Sequence, residues 1–150
     1  MSLEIDDSLL ARIREHGRSA YPNECCGLIL GCAQDGQKQA VHLSPQMNTR
    51  ADSPRNRYLI DPAAMLAAEK EARSRGLDIV GIYHSHPDHP ARPSEFDREN
   101  AVPWYSYIIV RVAAGKDEEL TCWTLRDDRS IFEEELLIAG AGSQGTTRKG

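Results

Sequence analysis

The spacing of apolar residues along the chain predicts two long helices and several short strands. In the segment DDSLLARIREHGRSAYP, the leucines and the isoleucine recur at helical intervals, so that they share one face. Asp6 or Asp7 is expected to cap the start of this first helix. Gly17, together with Pro22, predicts its end.

A second helix is predicted for DPAAMLAAEKEARSRG, which has clear signals at both ends. Asp61 stands at the N-cap position, Pro62 at the first helical position and Gly76 just after the last one. A third and shorter helix is expected in SEFDRENAV, where Ser94 would open it. The polar, turn-rich segment NTRADSPRN predicts a loop.

Short apolar or alternating runs predict the strands. The run LDIVGIYHSH is apolar and β-branched, as expected of a strand in the middle of a sheet. The others are CCGLILG, KQAVHLSPQ, YSYIIVRVA and ELTCWTLR. The segment SIFEEELLI fits either a last strand or a short helix, because its periodicity does not distinguish the two. Helices and strands mix without a strict alternation, so we expect an α/β (α+β) fold with a mixed β-sheet flanked by helices.

A length of 150 residues suits one domain, which we place at residues 1–138 and expect to be followed by a disordered tail at 139–150. The formal net charge of −5 argues against non-specific nucleic-acid binding, which requires a basic face. No apolar run reaches the length of a membrane span, and the N-terminus lacks the apolar core of a signal peptide. We therefore expect a cytoplasmic protein without nucleic-acid or membrane partners, and its oligomeric state stays open.

The cysteines indicate neither a disulfide framework nor a cysteine zinc site, because two of them are adjacent and no C-x-x-C is present. Buried, reduced thiols are the expected state. The four are Cys25, Cys26, Cys32 and Cys122.

Three of the five histidines lie in HSHPDHP, residues 84–90. His84 and His86 are two residues apart on a predicted strand, so their rings point to the same face and can bind one metal ion. A catalytic zinc usually has three protein ligands. Asp97 is a candidate for the third, since it lies nearly one helical turn after Ser94. His89 lies two residues after Pro87, and strand geometry does not predict the direction of its side chain.

These residues also have simpler interpretations. S-x-x-D is an ordinary helix start, in which Ser94 caps the helix and Asp97 is favourable against the helix dipole. Both interpretations can hold at once. A zinc deaminase of the nucleoside type would require H-x-E together with P-C-x-x-C, and neither pattern occurs.

The complete pattern is H-x-H, seven residues, then S-x-x-D, and it resembles the JAMM motif of the MPN-type metallopeptidases. It matches that motif at His84, His86, Ser94 and Asp97. The resemblance extends over about residues 5 to 137 and implies the single-domain MPN/JAMM fold, which is cytidine-deaminase-like. It also implies one zinc ion per chain, held by the two histidines and the aspartate, with Ser94 helping to hold the oxyanion of the reaction.

A zinc hydrolase also requires a base that takes a proton from the attacking water. The family supplies a glutamate that enters an apolar strand, and Glu24 stands directly before CCGLIL. A glutamate at the mouth of a buried strand is costly unless it is paired or used. The alternative is a glutamate exposed at the strand start. The resemblance implies that Glu24 is the catalytic base.

The segments YPNECCGLILG, YLIDP and GIYHSHPDHPARPSEFD together are most similar to the small prokaryotic branch of the family, which includes the Mec+ type. This similarity implies hydrolysis of an amide at the C-terminus of a ubiquitin-like sulfur carrier protein, in cysteine or other sulfur metabolism. The product would be free cysteine or a carrier trimmed to Gly-Gly. An extended carrier tail would be held by adding to a sheet edge.

Three arginines before YLIDP, namely Arg50, Arg55 and Arg57, are candidates for binding an acidic carrier or a terminal carboxylate. A solvated loop is the simpler explanation for them. Cys25 and Cys26 face opposite sides of a strand, so one of them could approach the cleft, although core packing is simpler.

Two other functions within the family stay open. Some MPN domains are non-catalytic scaffolds, but these usually lack part of the ligand set. RadC-like proteins usually have H-N-H-P-S-G, which differs from HSHPDHP.

Overall fold

The computed structural model describes residues 2–55 and 57–140. In chain order the elements are β1 (Ser2–Asp6), α1 (Asp7–Ala20), β2 (Cys26–Gln34), β3 (Gln37–Gln46), α2 (Pro62–Ser74), β4 (Asp78–Pro87), α3 (Glu95–Asn100), β5 (Ser106–Ala113), β6 (Lys116–Leu125), β7 (Phe132–Glu134) and β8 (Leu136–Gly140). Among the described residues, no helix has the length and apolar character that a membrane crossing requires.

The eight strands form one mixed sheet in the order β7-β6-β5-β4-β2-β3-β1-β8. β4 lies in its middle, antiparallel to β2 and parallel to β5. The two outer strands, β7 and β8, are consecutive in the chain and separated by the single residue Glu135. The sheet therefore curls until its two ends are joined by one stretch of backbone. A mixed sheet flanked by helices confirms the predicted fold class.

The two long helices cover separate apolar clusters on the sheet. Leu9 and Ile13 of α1 belong to the cluster that includes Ile108 and Val110 of β5. Ala68 and Ala72 of α2 belong to the other cluster, which is formed mainly by strand residues. The small alanine side chains let α2 approach the sheet, and this helix leads the chain into β4.

The first helix has the predicted start but a different end. Asp6 is the N-cap, and its carboxylate accepts a hydrogen bond of 2.8 Å from the backbone amide of Leu9. The helix continues past Gly17 and ends at Ala20, two residues before Pro22, so the predicted stop is right for the proline and wrong for the glycine. Gly17 is buried where α1 meets β5, and a Cβ there would lie 3.1 Å from Cγ2 of Val112. Close packing, rather than helix termination, accounts for this glycine.

The second helix begins at Pro62 as predicted, and Gly76 follows it with a φ of 71°. Asp61 occupies the N-cap position, but its side chain makes no capping hydrogen bond, which corrects the predicted role. The undecided segment SIFEEELLI forms β7 and most of β8, so the strand alternative is right. The sequence pattern did not predict β1.

The boundary of the domain stays a prediction. β8 extends to Gly140, so the first two residues of the predicted tail lie in a strand. The rest of that tail, residues 141–150, lies outside the described residues.

Candidate metal centre

The end of β4 brings two histidines to one face of the sheet. His84 and His86 are both buried, with side chains 1% exposed, and Ser85 between them points to the opposite face, where its hydroxyl accepts a hydrogen bond from the amide of Cys25. The Nε2 atoms of His84 and His86 lie 3.4 Å and 3.2 Å from the same oxygen, Oδ2 of Asp97. Three buried donor atoms therefore converge on one point.

Asp97 is held there by the first turn of α3. The backbone amide of Ser94 donates to Oδ2 of Asp97 at 2.8 Å, and the amide of Asp97 donates to the Ser94 hydroxyl at 3.0 Å. This is a capping box, so the helix-start interpretation of S-x-x-D is right. The Asp97 carboxylate also faces His84 and His86, so the capping box holds this candidate metal ligand in position.

The charge of Asp97 is favoured by its surroundings. Burial alone would raise the pKa of this carboxyl group, because it disfavours the ionised form. The charges and hydrogen bonds of His84 and His86 outweigh burial, and the pKa of Asp97 lies well below its usual range. An ionised carboxylate beside two imidazoles is a donor set that suits zinc.

Each histidine has a different second environment. Nδ1 of His86 donates to the carbonyl oxygen of Pro90 at 2.7 Å, so Nε2 is the nitrogen that faces Asp97. The ring of Tyr58 stacks on His84 with 4.7 Å between centroids. Nδ1 of His84 is buried without a hydrogen-bond partner among the described residues. The donor atoms, their burial and their orientation fit a bound zinc ion.

His89 lies beside the site and contacts His86. A second group of possible ligands, Glu24, His86 and His89, also has donor atoms within 4.8 Å of one another. The rings of His86 and His89 are stacked at 4.1 Å with only 22° between their planes. The planes of His84 and His86 differ by 55°. His84 and His86 both approach the same oxygen of Asp97, whereas His89 stacks on the ring of His86. The favoured set of ligands is therefore His84, His86 and Asp97.

Glu24 lies two residues before β2 and is buried, with 2% of its surface exposed. Its Oε1 atom has no hydrogen-bond partner among the described residues. Burial, with a further contribution from the negative charge of Asp97, raises the pKa of Glu24 to about 9. A buried carboxyl group without a partner is costly, and such groups concentrate at functional sites.

The three predicted substrate-binding arginines separate into two groups. The guanidinium groups of Arg50 and Arg57 lie 5.2 Å and 4.7 Å from the centroid of the Phe96 ring. Arg55 instead lies 3.8 Å from the carboxylate of Asp88, and its side chain is 64% exposed. Arg50 and Phe96 also line a cavity of about 380 Å³ that reaches Asp97. Two of the three arginines thus lie beside Phe96, the neighbour of Asp97 in the chain.

The cavity is mainly apolar. Its remaining lining residues come from the segment before α2, from α2 itself, from β4 and from α3: Tyr58, Leu59, Ile60, Pro62, Met65, Ile82 and Asn100. A cavity of this size and character suits an extended peptide segment or a small ligand.

The cysteines are not members of the possible metal-ligand groups among the described residues. Cys25 and Cys26 are buried, and burial raises the pKa of each thiol to about 12, so both stay protonated at neutral pH. Cys122 is also buried, whereas Cys32 is exposed, which corrects the expectation of four buried thiols.

One polar residue beside the site carries no motif and was missed by the sequence analysis. The side chain of Asn48 makes hydrogen bonds with the backbone of Glu24, Arg50, Arg57 and Leu59. A single asparagine after a strand is indistinguishable in sequence from any loop residue, so local pattern gave no signal for it.

A scan against known families matches residues 6–126 to the family described as prokaryotic homologues of the JAB domain. The chain is 38% identical to the desampylase of Haloferax volcanii over 112 residues, which are 73% of this chain and 78% of that protein. It is 36% identical over 107 residues to a probable TtuB-protein conjugate cleaving protease of Thermus thermophilus, with 71% and 68% of the two chains covered.

Two further similarities cover most of the chain. The CysO-cysteine peptidase of Mycobacterium tuberculosis is 26% identical over 137 residues, 91% of this chain and 90% of that one. The crystal structure of a JAB1/MPN domain protein from Archaeoglobus fulgidus superposes with a TM-score of 0.54 at 22% identity, covering 90% and 98% of the chains. The latter similarity concerns the fold.

Proposed function

The chain belongs to the family of prokaryotic homologues of the JAB domain, and on this premise we propose that it is a zinc-dependent peptidase acting on ubiquitin-like carrier proteins. It would hydrolyse an amide at the C-terminus of such a carrier, either to release a single residue such as cysteine or to free a Gly-Gly terminus. The names of three relatives support this substrate class, since they are a desampylase, a TtuB-conjugate protease and a CysO-cysteine peptidase.

One observation carries the proposal: His84 Nε2 and His86 Nε2 converge on Oδ2 of Asp97, with the buried carboxyl group of Glu24 nearby. We propose that the two histidines and Asp97 hold the zinc ion, one per chain. When bound, zinc supplies a Lewis acid and lowers the pKa of its water toward about 7, and its positive charge favours the ionised form of Glu24.

Glu24 then acts as the general base. Its carboxylate takes a proton from the attacking water and later gives it to the leaving amine, so the proton is conserved over the cycle. Burial helps this role, because a carboxylate shielded from bulk water exchanges its proton with the substrate rather than with solvent.

Ser94 is positioned to stabilise the oxyanion. Its oxygen accepts the hydrogen bond from the Asp97 amide, so its hydroxyl hydrogen remains available for donation to a developing negative charge. The capping box holds the hydroxyl in place before substrate arrives, and a preorganised donor of this kind requires little rearrangement during the reaction.

The cavity beside Asp97 is the proposed binding site of the carrier tail. Apolar side chains of an extended tail would contact its walls, and Arg50 and Arg57 would face acidic groups of the carrier. We propose a role in cysteine or other sulfur metabolism and, because all four cysteines are free, a reducing compartment such as the cytoplasm.

The test is cleavage of a ubiquitin-like carrier that carries one extra residue after Gly-Gly, followed by intact-mass spectrometry with zinc supplied. Loss of the mass of that residue, abolished by a chelator and restored by zinc, supports the proposal. An unchanged carrier mass with zinc fully bound, repeated with a Gly-Gly–lysine isopeptide conjugate, would reject peptidase activity and favour the non-catalytic scaffold.

A further inference from the structure

The backbone of Glu24 is not held by the sheet. β2 begins two residues later, at Cys26, so the ladder hydrogen bonds start after the proposed base. The amide of Glu24 donates instead to the carbonyl oxygen of Pro54 at 2.8 Å. The carbonyl oxygen of Glu24 accepts from Nδ2 of Asn48 at 3.2 Å. Both polar backbone groups of Glu24 therefore depend on one loop.

That loop, here called the arginine loop, comprises residues 48–55 and 57–59. Asn48 joins its two ends: Oδ1 accepts from the amides of Arg50 and Leu59, each at 3.0 Å, and Nδ2 donates to the carbonyl oxygen of Arg57 at 3.0 Å. An amide side chain has two donor hydrogens and two acceptor lone pairs. Asn48 therefore uses its full hydrogen-bonding capacity to join the loop to Glu24.

The same loop reaches the metal-ligand candidates. Tyr58 belongs to this loop and stacks on the ring of His84. Arg50 and Arg57 also belong to it, and the side chain of Asn48 makes hydrogen bonds with the backbone of both. The side chain of Asn48 is thus the shared attachment of the proposed base, the aromatic neighbour of His84 and the arginines beside Phe96.

We infer that Asn48 is a positioning residue that sets the place of Glu24 through the arginine loop. The inference rests on the proposed function and goes beyond it, since Asn48 touches neither the metal ligands nor the reacting atoms. Its effect should pass through Glu24: it should alter turnover by misplacing the carboxylate, while zinc stays bound.

Asn48→Leu tests this, because leucine has nearly the same shape and makes no hydrogen bonds. Gln46→Leu is the matched control, since that amide lies two residues earlier and bonds only to Ser44 among the described residues. We expect Asn48→Leu to lower kcat by about tenfold or more with one zinc per chain retained and KM changed less than about threefold. Gln46→Leu should behave like the wild type.

A double-mutant cycle separates positioning from a general structural role. In a Glu24→Gln background, adding Asn48→Leu should change the residual kcat less than about twofold, because the group it positions is already absent. An additive loss in the double variant, or an unchanged kcat in the single one, would overturn the inference.

Hydrogen exchange provides a readout that does not depend on activity. In Asn48→Leu, the amides of Glu24, Arg50 and Leu59 should exchange at least about tenfold faster than in the wild type, whereas Gln46→Leu should leave them unchanged. Unchanged protection of the Glu24 amide would also overturn the inference. A wild-type protein that cleaves no carrier would reject the proposed function, while the exchange result would still decide whether Asn48 holds Glu24.

Discussion

Nδ1 of His86 donates to the carbonyl oxygen of Pro90 at 2.7 Å, and this one contact determines which nitrogen of the ring faces Asp97. Pro90 lies four residues later, in the turn that leads from β4 toward α3. The turn therefore does more than connect two elements, since it orients a ligand candidate from behind, as ligand-supporting contacts do in known metal sites.

Removing that ring should remove the metal. We expect His86→Ala to lose both zinc and cleavage, because one of three converging donors is gone. Glu24→Gln should keep about one zinc per chain and retain only a small residual kcat, because an amide cannot accept a proton. Elemental analysis of protein purified without chelators checks both. Metal loss in Glu24→Gln, or normal turnover in His86→Ala, would contradict these roles.

The arginines beside Phe96 should affect carrier binding. We expect Arg57→Gln to raise KM for an acidic carrier by about three- to tenfold with little change in kcat, and the effect should shrink as salt is added. Arg55→Gln is the control, because Arg55 is exposed and lies beside Asp88 rather than Phe96. Steady-state kinetics at two ionic strengths measures this. Equal effects of the two substitutions would reject a specific role for Arg57.

The metal-ligand pattern could be predicted because it is local. Side chains that lie two positions apart on a strand point to the same face, so spacing alone places His84 with His86. Residues that lie three positions apart at the start of a helix are nearly one turn apart, which places Ser94 with Asp97. The roles assigned to those side chains stay predictions. The family and the fold class inferred from that pattern are confirmed.

Long-range partners could not be predicted in this way. β1 pairs with β8, which lies more than 130 residues later, and nothing in the five residues Ser2–Asp6 specifies that partner. The contacts of Asn48 have the same origin. They depend on which distant strands and loops become neighbours, whereas periodicity reports only the neighbours within one element.

A buried ion pair joins β3 to the residue between β7 and β8. Nζ of Lys38 lies 3.5 Å from Oε2 of Glu135 and donates to the Ser106 hydroxyl at 3.0 Å, and that hydroxyl donates to Oε1 of Glu135 at 2.6 Å. The ammonium and carboxylate groups are almost completely buried. Each charge therefore depends on the other for compensation.

Removing one partner should cost more than removing both. We expect Lys38→Met to lower the free energy of unfolding by about 3–5 kcal/mol, because it leaves the Glu135 carboxylate buried without its cation. The double variant Lys38→Met with Glu135→Leu should be clearly more stable than the single one. Urea denaturation with an unchanged m-value measures both. A double variant less stable than Lys38→Met would refute this account.

Stability should also depend on His16. Its Nδ1 lies 2.7 Å from the Tyr83 hydroxyl, and burial lowers the pKa of His16 below 6.5. Because the unfolded chain binds this proton more readily, the stabilisation is complete above pH 6.5 and decreases as the pH falls toward the folded-state pKa.

The His16→Gln variant isolates this contribution, since glutamine can still accept from Tyr83 but does not titrate. We expect the wild type to lose more stability than the variant between pH 7.5 and pH 5.5, as measured by urea unfolding at each pH. Parallel losses in both proteins would show that His16 does not contribute.

The pairing of the first strand with the last has a consequence for synthesis on the ribosome. β1 leaves the exit tunnel long before its outer partner β8 has been translated. Until residue 140 has emerged, the nascent chain carries β1 with one edge unpaired, and unpaired edges are where chains associate with one another. A messenger truncated just before the codon for Leu136 should therefore yield an aggregating polypeptide, even though every proposed metal ligand is already encoded.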